Sequence, residues 1–113
     1  MTDELKEKSL EEVAREKFGD KLDVWKAQYE PKQLMIIAVE EKMIVLKPLT
    51  PAVFSRYSML MSSEGMDVAT RYALNEMTLG GDAELIDDDD YFISAMMQFN
   101  AVVELKKGRA SKL

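Results

Sequence analysis

Apolar residues change their spacing along this chain, and the changes mark its elements. In the first segment Leu10, Val13 and Ala14 recur at helical intervals behind Ser9 and Glu12, which have capping-box spacing. Glu11 and Arg15 lie four apart as a supporting pair, and Gly19 is placed to end the helix. Asp20 can cap a second short turn presenting Leu22, Trp25 and Tyr29, and Pro31 closes the segment. The stripe is thin, so residues 1–21 read as a helical arm that docks loosely or packs on a partner.

From Leu34 the spacing becomes that of strands. Leu34-Met35-Ile36-Ile37-Ala38-Val39 and Met43-Ile44-Val45-Leu46 are short branched runs separated by Glu40, Glu41 and Lys42. They predict an antiparallel hairpin over about 34–47. Both of its faces are apolar, and a lone hairpin is marginal in water, so each face needs a cover. The following helices supply one, and the arm or a neighbouring subunit the other.

Helical spacing then returns. Leu49 and Phe54 occupy staple positions around Thr50-Pro51, a good cap and first helical residue. Val53, Phe54, Tyr57, Leu60 and Met61 carry a helix over about 51–62. Asp67 is placed to cap a second over about 67–79, with Val68, Ala69, Tyr72, Ala73 and Met77 on its stripe and Gly80-Gly81 as its stop. The longest helix, about 89–107, shows Phe92, Ala95, Met96, Phe99, Val102 and Val103, with acid at its start and base at its end to suit the helix dipole. The expected fold is therefore α+β and mainly helical: one domain over 22–113, a hairpin packed with about four helices.

Composition narrows the chemistry. Of 113 residues none is cysteine and none is histidine, which removes disulfides, thiolate nucleophiles, the usual triad base and the commonest metal ligand. No enzyme is expected, and no catalytic residue, cofactor or metal ligand is assigned. The net charge is −6, and residues 34–103 carry eleven acidic against four basic side chains, an unfavourable surface for phosphate. Nucleic acid is not an expected partner. No stretch is long and apolar enough for a membrane span, and the charged start lacks signal-peptide order, so a cytoplasmic site is expected.

Candidate sites each have a plain structural alternative. Asp82 to Asp90 is rich in carboxylates but lacks the glycine and closing glutamate of a calcium loop. A solvated loop whose last aspartates cap a helix accounts for it better. Gly80-Gly81-Asp82 lacks the rest of a phosphate loop and reads as helix termination. The nine methionines divide: Met61, Met77 and Met96 lie on core stripes, whereas Met35, Met59 and Met97 lie off them and suit an adaptable partner surface. Trp25 and Tyr29 either anchor a partner or tie the arm to its own domain. Ile37 and Val39, on the second hairpin face, complete the expected partner-binding set.

Trp25-Lys26 with Tyr29, the strand pair ending Leu46-Lys47-Pro48, Ala73-Leu74-Asn75-Glu76 and Leu79-Gly80-Gly81-Asp82 form an ordered pattern. Over about residues 22–113 it resembles the tail assembly chaperone-like proteins of tailed bacteriophages and prophages. The chain departs from that pattern in its acidic hairpin turn and in Met77-Thr78. The resemblance implies a protein that coats an aggregation-prone tape measure protein and recruits tail tube protein, working in the host bacterial cytoplasm. A longer frameshifted form near Lys106-Lys107 is a further implication. A homo-oligomer is expected, because the hairpin offers more apolar surface than one copy hides. The rival expectations are a small virion adaptor of the tail or connector, an acidic DNA-mimic inhibitor and, last, a metal-dependent enzyme using Asp87 to Asp90.

Overall fold

A computed structural model describes residues 9–107, with side chains through Val103. The first eight residues of the expected arm, and the basic side chains of Lys106, Lys107, Arg109 and Lys112, lie outside what is described. The elements run α1 (Leu10–Phe18), α2 (Asp20–Tyr29), β1 (Met35–Val39), β2 (Lys42–Leu46), α3 (Pro51–Ser63), α4 (Met66–Met77), β3 (Thr78–Gly81), α5 (Glu84–Asp87) and α6 (Asp89–Lys107). The fold is α+β and mainly helical, with six helices among the described residues in place of about four.

Local chemistry explains most of the boundaries. Ser9 accepts from the Glu12 N–H and Glu12 from the Ser9 N–H, both at 3.1 Å, so α1 opens with a complete capping box. Gly19 ends it at a left-handed φ of 60°. Thr50 accepts from the Val53 N–H at 3.2 Å, with Pro51 as the first helical residue of α3. The expected cap at Asp67 is not used. Gly65 stands at the N-cap of α4, and Asp67 lies inside the first turn.

The hairpin sets Met35 opposite Leu46, Ile37 opposite Ile44 and Val39 opposite Lys42. Glu40 turns the chain at φ 56°, where a glycine or asparagine is usual. A third strand went unpredicted. Thr78–Gly81, expected as the end of a helix, pairs with β2 instead, giving the antiparallel order β1-β2-β3 with a bulge between Val45 and Leu46.

Strand alternation splits the side chains between two cores. Met35, Ile37, Ile44 and Leu46 join Tyr57, Ala69, Ala73, Leu74, Met77, Leu85, Ile86, Phe92, Ala95, Phe99 and Val103 in the main one. Ala14, Leu22 and Met43 form the second, with Val13, Phe18, Trp25, Leu34, Ile36 and Ala38 packed against it. The sheet is therefore covered on both faces by its own chain. The surplus of apolar hairpin surface expected from the sequence is not present, because α1 and α2 cover the second face.

Candidate functional site

An accessible, largely apolar cleft lies between α3 and α6. On α3, Phe54, Tyr57, Ser58 and Met61 follow at helical spacing and line one wall of a cleft of about 360 Å³. Asn100 and Val103 of α6 form the other wall, and Met66 at the start of α4 closes one end. The floor is held by a polar chain within apolar packing. The Tyr57 hydroxyl donates to Asn100 Oδ1, and Asn100 Nδ2 donates to the Met96 carbonyl at 2.7 Å and to Thr70 Oγ1 at 3.4 Å. Thr70 is fully buried, and the Tyr57 ring meets Phe99 edge-on at 5.6 Å. Three helices are thereby fixed relative to one another at the cleft.

The rim extends the apolar surface. Met97 and Ile93 lie three and seven residues before Asn100, on the same side of α6, and are 67% and 54% exposed. Met66 is also exposed. Methionine and isoleucine at a rim offer deformable apolar contact without a fixed shape, a property that suits variable partners.

The expected partner-binding residues are scattered rather than gathered. Met97 stands at the rim. Met59 is 61% exposed, but it lies two residues from both Tyr57 and Met61 and so faces away from the cleft across α3. Met35 and Ile37 are 6% and 1% exposed inside the main core and offer no surface. Val39 is partly buried against the same core. Trp25 is inside the second cluster, edge-on to Phe18 at 5.4 Å, so it ties the N-terminal helices to the sheet; Tyr29 is half-buried at the end of α2. The sequence did not single out Asn100, Thr70 or Met66. Only the contact between segments distant in the chain gives them a role.

No family model, no curated protein and no solved structure matches this chain.

The acidic segment is structural in its contacts. Asp88 Oδ1 accepts from the Asp90 N–H at 3.0 Å, capping α6, and Asp89 lies 3.7 Å from Arg71, whose guanidinium covers the Phe92 ring at 4.1 Å. Asp82 turns inward. Its Oδ2 accepts from the Met43 N–H at 2.9 Å and pairs with Lys17 Nζ at 2.8 Å. Among the described residues no three acidic side chains converge on a point where a metal ion would be held. No helix among them is long and apolar enough to cross a membrane.

Proposed function

We propose that this protein is a non-enzymatic assembly chaperone of the phage tail type, which holds an apolar helical segment of a tape measure protein in the cleft between α3 and α6. The observation that carries the reading is the cleft itself: Phe54, Met61, Met66 and Val103 around a rigid floor, continued by Met97 and Ile93. An amphipathic helix places apolar residues at intervals of three and four, which is the spacing of both walls, so two walls and a guest make a three-helix contact. The resemblance in residues 22–113 supplies the identity of the client, and the acid-rich surface would keep a coated complex soluble. Tail tube protein as a second partner and the host bacterial cytoplasm as the site of action follow from the same resemblance.

Co-expression with the tape measure protein tests the reading. The full chain should hold that protein in solution and copurify with it, and Met97→Glu with Met61→Glu should abolish copurification while helical circular dichroism is retained. Retention by the double variant, or no binding by the unaltered chain, would sink the proposal. Stoichiometric presence in purified particles by mass spectrometry would move the protein to the rival role of a virion adaptor.

A further inference from the structure

The two faces of the sheet are held with unequal strength. Among the described residues fifteen buried side chains pack in the main core, whereas the second core holds three, Ala14, Leu22 and Met43. Phe18 and Trp25 widen that contact but are only partly buried. Between the N-terminal helices and β1 runs a cleft of about 390 Å³, lined by Glu11, Leu22, Lys26, Leu34 and Ile36 among others. Side chains beside an unfilled gap forfeit the dispersion contacts that close packing gives. This seam therefore holds less firmly than the main core.

α1 and α2 are bound to each other as well as to the sheet. Lys26 Nζ lies 2.6 Å from Glu11 Oε2, and Arg15 Nη1 lies 2.7 Å from Asp23 Oδ1. Helices of nine and ten residues are too short to persist alone in water, so leaving the sheet also means melting. Segment 30–34 joins the pair to β1, and Lys17 Nζ fastens it to Asp82 Oδ2 at 2.8 Å. The position of β1 has other supports. It pairs with β2, buries Met35 and Ile37 in the main core, and accepts from Gln98 Nε2 at the Ala38 carbonyl at 2.8 Å.

We propose that α1 and α2 form a hinged cover that opens as one unit about residues 30–34 while the rest of the fold stays intact. The Lys17–Asp82 pair is its latch. Opening bares Ile36, Ala38 and Met43, so the chain carries an apolar sheet face that its own N-terminal helices hide or show. The α3–α6 cleft belongs to the main core, and the cover stands or falls independently of the chaperone reading.

Native-state amide exchange on the full chain, in rising but sub-denaturing urea, tests this. The slowest amides of α1 and α2 should merge onto one urea-dependent opening, at least about tenfold more populated than the one that exposes Leu74 and Phe99. Lys17→Met removes the latch and should speed exchange in α1 and α2 about two- to fivefold. Main-core exchange should rise by the same factor, because complete unfolding also breaks the latch. Phe99→Leu should speed main-core exchange at least about fivefold and leave α1 and α2 unchanged, because Phe99 stays packed in the open form. One opening shared by all helices, separate openings of α1 and α2, or exchange in them without urea dependence would each overturn the proposal. So would indifference to Lys17→Met, or equal acceleration of cover and core by Phe99→Leu.

Discussion

Gly80 lies so close beneath the Trp25 indole that a Cβ there would sit 2.8 Å from Cη2. The second cluster closes against this bare stretch of β3. Gly80→Ala should push the ring outward and cost about 1–3 kcal/mol, as overpacking usually does. Trp25 is the sole tryptophan, so a red-shifted emission spectrum together with a lowered unfolding midpoint is the expected readout.

Gly81 is more constrained. Its φ of 131° excludes ordinary side chains, and a Cβ would lie 2.7 Å from the Ile44 Cα, which cannot yield as a side chain can. Gly81→Ala should cost more than Gly80→Ala, upward of about 3 kcal/mol, in urea unfolding of both variants side by side.

Asp82 should govern part of the acid limb of stability. The Lys17 ammonium hydrogen-bonded to it holds its carboxyl below the ordinary range; burial opposes this, and the Met43 N–H adds to the lowering. A carboxyl depressed in the folded state contributes stability that is complete above its unfolded value and is lost as pH falls below 3.8 through the folded value. Asp82→Asn should therefore lower stability near neutrality and flatten its fall in acid. Thermal midpoints across the acid range would show this, and parallel curves for the two proteins would contradict it.

Tyr57→Phe removes the donor to Asn100 Oδ1 and leaves that oxygen short of a partner. A loss of about 1–3 kcal/mol is expected, the cost of an unsatisfied, partly buried acceptor. The same variant should loosen the cleft, so binding of the proposed helical client should weaken more than the drop in folded fraction explains.

Glu40→Gly should stabilise the chain. Glu40 holds a left-handed φ of 56° that costs a non-glycine residue about 1–2 kcal/mol. Glycine's greater freedom in the unfolded chain offsets part of that gain, leaving about 0.5–1 kcal/mol visible as a higher melting temperature.

The sequence made some of this legible and hid the rest for definable reasons. Strand alternation at Leu34–Leu46, the Thr50-Pro51 start and the full span of α6 depend on local chemistry, and local chemistry can be read residue by residue. Thr78-Leu79-Gly80-Gly81 has no strand preference of its own. It becomes a strand because Trp25 and Ile44 approach where only glycine leaves room. The apolar stripe of residues 10–29 looked too thin to cover a sheet face, yet small Ala14 lets α1 approach closely while Phe18 and Trp25 spread across the surface. Met35 and Ile37, expected outside, lie on the other sheet face inside the main core with Leu85, Phe92 and Phe99. Met97 was readable as exposed because it falls off its helix stripe. The cleft beside it was not, because Tyr57 and Asn100 meet across 43 residues of chain.

The two-sided cover of the sheet also has an order in time. Translation proceeds from the N-terminus, so α1 and α2 have left the ribosome before Ile36, Ala38 and Met43 follow them. The residues that shield this sticky ribbon are thus already available when it emerges. Were the same two helices encoded after the strands instead, the nascent ribbon would stay bare on that face until synthesis was nearly complete.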